Sequence, residues 1–183
     1  MKKYMSILDC LPMNKLKCIL ACMVLFGLTA CATGGIMANH TFSFDTIADS
    51  PDIEVLDYQY GNGRQFGTRA DKERIALGQK FARGGVFGAM PPGEFLYVKW
   101  RIKNSTQTFE DKVDLRSRLP KDMEGLTVHF VIKASQLYVY VIWPWDGKPW
   151  ERESLKSQFD PVLGGEKRFQ GHMQMQIYPD PGK

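Results

Sequence analysis

The chain has 183 residues with 24 Lys plus Arg against 20 Asp plus Glu, a formal charge of +4. Four of those lysines (Lys2, Lys3, Lys15, Lys17) and Asp9 lie in the first 30 residues, so the rest of the chain carries 20 basic against 19 acidic residues. A near-neutral remainder has no cationic excess to condense onto a polyanion, which excludes nucleic acid as a partner.

Cys18 to Ala30 is the longest apolar run, and it is too short for a spanning helix, which needs roughly 20 residues. Lys15 and Lys17 precede it and small residues close it, the charge, apolar, cleavage-site order of a secretory signal peptide. The run ends in Leu28-Thr29-Ala30-Cys31, which resembles the lipobox of bacterial lipoproteins. In that motif the cysteine is acylated and the leader is cut before it. Residues 1–30 are therefore expected to be a lipoprotein signal peptide and Cys31 the lipidated first residue. Asp9 and Pro12 interrupt what should be a basic leader start, whereas "MNKLKCILACMVLFGLTAC" from Met13 is compact, so Met13 is the expected true start. Ala32 rather than aspartate follows the cysteine, favouring the periplasmic face of the outer membrane over the inner one.

Cys10, Cys18 and Cys22 leave with the leader. Cys31 then stands alone, which excludes an intramolecular disulfide or a cysteine metal cluster. "ATGGIMAN" (residues 32–39) reads as a tether of roughly 27 Å when extended. Residues 31–50 are taken as tether and lead-in, and 51–183 as one β domain. Its strands are read from period-two patterns: Ile53 to Tyr60, then "EFLYVKWRIK" with Leu96, Val98, Trp100 and Ile102 on one face and cations on the other. A polar "NSTQ" turn leads to "TFEDKVDL". The more apolar pair "LTVHFVIK" and "QLYVYVIW" reads as central, and "MQMQIYP" closes the sheet with Met173, Met175 and Ile177 on one face. Short helices are expected at Asp71 to Leu77, Leu115 to Leu119 and Glu151 to Phe159. The fold class expected is mainly β, a single antiparallel β-sandwich or partly rolled sheet with one or two short helices.

Catalytic chemistry finds few candidates. There is no G-x-S-x-G elbow, and His40, His129 and His172 match no metal-helix spacing. His129 alternates with apolar neighbours and reads as a satisfied core or surface histidine. "ARGGVFGAMPPGE" (Ala82 to Glu94) lacks the G-K-[ST] of a phosphate loop and reads as a shaped surface loop. Glu110 and Asp111 are adjacent in a strand and so point to opposite faces. No catalytic residue, metal site or cofactor is expected. "WPWDGKPW" (143–150) concentrates tryptophans around a D-G turn, the residue type that anchors interfaces. Trp145, Asp146, Lys148 and Trp150, with Phe87 and Met90 from the glycine-rich stretch, are the candidate partner contacts.

"MPPGEFLYVKWRIK", "EDKVDLRSRLPKDMEGLTVHFVIK" and "SQLYVYVIW" resemble a group of small proteobacterial lipoproteins associated with type VI secretion. The similarity runs from about Glu54 to Trp143 and again at "IYPDP". Members of that group with an assigned role resemble immunity proteins for phospholipase effectors. The resemblance implies a membrane-anchored periplasmic inhibitor whose partner is a toxin of the phospholipase type, and whose function needs no active site. A structural envelope lipoprotein and a glycan binder using the tryptophans are the alternatives. A chain started at Met13 is expected to be exported and processed like the full-length one, with the same acylated N-terminus by mass spectrometry. Loss of export would contradict the assignment of the leader.

Overall fold

The computed structural model describes residues 37–144 and 172–180. Eight strands run in chain order, here β1 (Ala38–Asp45), β2 (Ile53–Tyr60), β3 (Arg83–Met90), β4 (Phe95–Ile102), β5 (Thr108–Asp114), β6 (Thr127–Lys133), β7 (Gln136–Pro144) and β8 (His172–Tyr178). Two short helices, α1 (Thr46–Asp49) and α2 (Lys72–Ala76), follow β1 and β2. One sheet has the order β3-β1-β6-β7-β8 and the other β2-β4-β5. All pairings are antiparallel except β1 with β6. The protein is thus a mainly β two-sheet sandwich with two short helices.

Alternation along the strands turns apolar residues inward from both sheets. Phe42, Phe44, Phe130, Val139 and Val141 from the larger sheet are buried with Val55, Tyr58, Tyr60, Leu96, Val98 and Trp100 from the smaller. Aromatic rings join the layers: Phe42 stacks on Tyr60 at 4.8 Å between centroids, and Phe44 meets Tyr58 edge-on at 4.9 Å. Trp100 is buried and its indole N–H donates to the Ala134 carbonyl in the β6–β7 turn at 3.0 Å, which satisfies its one polar group. In β2 the register shifts between Val55 and Asp57. This bulge lets Val55 and Tyr58 both face the core although they are three residues apart.

Two stretches differ from the sequence reading. Ala38 to Asp45, assigned to the lead-in segment, is a strand lying between β3 and β6, so the β domain begins at Ala38 and not at residue 51. "RGGVFGAM", read as a loop, is strand β3. Gly84 is needed because β3 there lies tight against the aromatic layer. A Cβ on Gly84 would fall 2.3 Å from Phe44 Cε1 and 2.9 Å from the Tyr58 hydroxyl. Leu115 to Leu119 forms a turn, with the Arg118 and Leu119 N–H groups both donating to the Leu115 carbonyl, and not a helix. The helix expected at Asp71 to Leu77 is α2, which Asp71 caps, its carboxylate accepting the Arg74 N–H. The leader, Cys31, and the helix expected at 151–159 lie outside the described residues.

Replacing Gly84 with Ala should destabilise the fold by about 1–3 kcal/mol through overpacking against Phe44 and Tyr58. Thermal denaturation reads this as a lowered Tm. An unchanged Tm would mean that β3 does not press on the aromatic layer.

Candidate functional site

Three features of the sandwich place chemistry-bearing side chains together. The first is a buried polar chain across the β1–β6 seam. Ser43 on β1, His129 on β6 and Asp49 on α1 are linked, with Ser43 Oγ 2.8 Å from His129 Nδ1 and His129 Nε2 2.9 Å from Asp49 Oδ2. His129 is 0% and Asp49 2% exposed. The carboxylate can only accept, so Nε2 donates to Asp49. That leaves Nδ1 to accept the Ser43 hydroxyl proton when the ring is neutral.

Hydroxyl, imidazole and carboxylate in series is the connectivity of a nucleophilic relay. Here the serine stands on Nδ1 and the carboxylate on Nε2, the reverse of the usual order. Ser43 also sits within a strand paired on both sides. The N–H groups of β1 around it are engaged in ladders, so they are not aimed at an oxyanion. What the chain does is tie α1 to both strands of the seam, and the neighbouring Ser50 Oγ adds to this by accepting the Ile132 N–H at 2.9 Å.

The second feature joins the two sheets. His40 is fully buried, with Nδ1 3.0 Å from the Ala38 carbonyl and Nε2 3.0 Å from the Tyr60 hydroxyl. A carbonyl only accepts, so Nδ1 carries the proton and Nε2 accepts from Tyr60. Burial holds the His40 pKa below its ordinary 6.5, outweighing the Ala38 hydrogen bond and the charge of Glu124. Burial also pushes the Tyr60 phenol up to about 12, so the hydroxyl stays a donor.

The third feature is the free edge of β3. Phe87 is 72% exposed and Phe66, in the loop after β2, is 94% exposed. That loop runs beside β3: a Cβ on Gly67 would lie 2.7 Å from the Gly85 carbonyl oxygen, and one on Gly88 3.3 Å from Gln65 Nε2. The two phenylalanines therefore stand on adjoining segments at one sheet edge. Arg64, Arg69 and Arg83 on the same segments are exposed, and Arg83 pairs with Asp45 at 2.9 Å. Gly61 to Met90 carries six Lys and Arg against two acidic residues. Elsewhere the surface is better balanced. On the outer face of β4, Arg101 pairs with Glu54 and the Tyr97 hydroxyl donates to Glu110.

Of the contacts expected from sequence, Phe87 is on this edge and Met90 is not available, being 2% exposed in the core. Trp145, Asp146, Lys148 and Trp150 lie outside the described residues. Trp143 is half-buried and packs against the core. Glu110 and Asp111 do point apart, the former to Tyr97 and the latter accepting the Tyr178 hydroxyl at 2.6 Å. Sequence reasoning did not single out Phe66, although a lone phenylalanine in the polar, glycine-rich "GNGRQFG" has no apolar neighbours with which to form a strand face. No group of His, Cys, Asp or Glu that could hold a metal occurs among the described residues. Comparison with protein-family models, with curated proteins and with solved structures gives no match.

His40 makes the fold acid-sensitive. With its folded pKa below the unfolded 6.5, its contribution is complete above 6.5. It is lost as pH falls, because the unfolded chain binds the proton first. Tm should therefore fall between about pH 7 and 5 in the wild type, and His40→Gln should flatten that limb. An identical pH dependence in the variant would contradict the buried neutral histidine.

Proposed function

We propose that the protein is a membrane-anchored periplasmic immunity protein that binds and blocks a lipase-type effector of type VI secretion. The observation that carries this reading is the β3 edge, where two exposed phenylalanines stand among arginines on a rigid sandwich. Exposed aromatic rings with arginine around them are the composition of binding hot spots in protein interfaces. An inhibitor of this kind acts by occupying its target, so it needs neither cofactor nor catalytic residue. The Ser43–His129–Asp49 chain is accordingly assigned to stability.

Anchoring through Cys31 completes the account. Each buried CH₂ of an acyl chain contributes about 0.8 kcal/mol, and two or more chains hold a protein stably on a bilayer. A tethered inhibitor meets a membrane-attacking enzyme at high effective concentration without any added contact. The half-buried Trp143 gives no support to a tryptophan platform for glycans.

The test is a rescue assay in which the product of the adjacent gene is directed to the periplasm of a sensitive host. Survival is expected with the wild-type protein and not without it, with reduced protection from Cys31→Ser carrying a soluble signal peptide. A combined Phe66→Ser and Phe87→Ser variant, expressed at the same level, should lose protection. A harmless neighbour, or killing despite full expression of the wild type, would overturn the reading.

A further inference from the structure

The edge of β3 has a specific set of unpaired backbone groups. The Thr41 N–H donates to the Leu126 carbonyl at 2.9 Å, so Thr41 turns its backbone toward β6 and away from β3. Thr41 is opposite Phe87 in the β1–β3 register. In an antiparallel pair, residues opposite each other either exchange both hydrogen bonds or neither. Phe87 therefore directs its N–H and C=O outward, and with a period of two so do Gly85 and Ala89. Gly67 lies against the Gly85 carbonyl, which leaves Phe87 and Ala89 as the open positions. No hydrogen bond joins their backbone groups to another described residue.

Natural sheets protect such edges with charge, proline or a covering segment. β5, at an edge of the smaller sheet, carries Glu110, Asp111, Lys112 and Asp114. The β2 edge is covered by bridges from Val55 to Phe81 and from Gln59 to Arg69. Among the described residues β3 is approached on this side only by the loop at Gln65 and Gly67, and from Gly84 to Met90 it contains no charged residue and no proline. Its exposed residues on the outer face are Gly85, Phe87 and Ala89, two small residues flanking one large ring.

We infer that β3 is a docking strand, and that its occupant is an extended, acidic segment of a partner polypeptide that adds to the sheet by pairing with Phe87 and Ala89. This deepens the immunity reading and rests on it, naming how the effector is held. Outward N–H and C=O groups at strand spacing are matched by another extended backbone. The charge of Arg64 and Arg69, exposed on the loop beside β3, selects acidic flanks on that backbone. It also disfavours a second copy of this chain, which would bring two arginine-rich edges together. A lipid surface fits less well, because backbone groups pressed into hydrocarbon without partners cost several kcal/mol each.

The experiment uses the complex with the adjacent gene's product. Ala89→Pro removes one outward N–H and obstructs the edge while leaving the ladder to β1 intact, as proline is tolerated where its nitrogen faces outward. Circular dichroism and Tm confirm the fold. The variant should bind at least about tenfold more weakly, as expected for losing two or more backbone hydrogen bonds worth roughly 1 kcal/mol each. In the wild-type complex, hydrogen exchange at the Phe87 and Ala89 amides should slow. This second readout stands even if the variant folds poorly.

A complex in which those amides stay unprotected, or one that a folded Ala89→Pro leaves unweakened, overturns strand addition and leaves the immunity reading in place. Absence of any complex removes the immunity reading, and this inference with it. Sedimentation of the Cys31→Ser protein with phosphatidylglycerol vesicles, abolished by Phe66→Ser with Phe87→Ser, would overturn it in favour of a lipid surface.

Discussion

The larger sheet depends on a parallel seam of only three residue pairs, Thr41 with Thr127, Phe42 with Val128 and Ser43 with His129. On one side of it lie β1 and β3, on the other the meander β6-β7-β8. Three ladder positions are little to hold two halves of a sheet, and parallel pairing is slightly weaker per residue than antiparallel. The deficit is offset by side chains. His129 reaches Ser43 across the seam and Asp49 above it, and Ser50 takes the Ile132 N–H beyond the point where β1 turns away into α1. At the other end Asn39 binds Glu124 through both its side chain and its backbone N–H. Buried polar groups paired in this way specify one register where an apolar contact would permit several.

That seam determines which strand is left at the edge. Because β1 is engaged by β6 on one side, β3 can pair only with its other side, and its outer backbone at Phe87 and Ala89 is unpaired among the described residues. The same strand presses Gly84 onto Phe44 and Tyr58, so it is held firmly from behind while being open in front. A preordered edge loses little conformational entropy on binding, and such preorganisation strengthens association without added contact area. The loop bearing Phe66 is fixed beside it by Gly67 and Gln65. The binding face proposed for the protein is thus a consequence of how its sheet is stitched together.

Much of the fold could be read from residues alone. β2, β4, β5, β6, β7 and β8 are visible as alternating or β-branched runs, and β2, β4, β6 and β7 bury continuous apolar faces. β1 was not, because His40 interrupts the inward alternation with Phe42 and Phe44, and Ser43, on the opposite face, adds no apolar signal. Only the folded partners, Tyr60 and His129, explain why those residues belong inside a sheet. β3 was missed for a related reason. Three glycines read as a loop, and the purpose of Gly84, close approach to the aromatic layer, is a property of the tertiary structure. Met175 shows the converse: its spacing puts it on one face with Ile177, yet it is exposed while Ile177 is buried. At the binding edge, Phe87 could be suspected from composition. Phe66 joins it only through the folding of its loop onto β3.

The central claim is that this protein works by occupying an enzyme. The most direct measurement titrates the purified protein into a phospholipase assay of the adjacent gene's product. The account predicts that activity falls linearly and reaches its floor at one equivalent, as for a tight one-to-one inhibitor. Full activity in the presence of excess folded protein would contradict it.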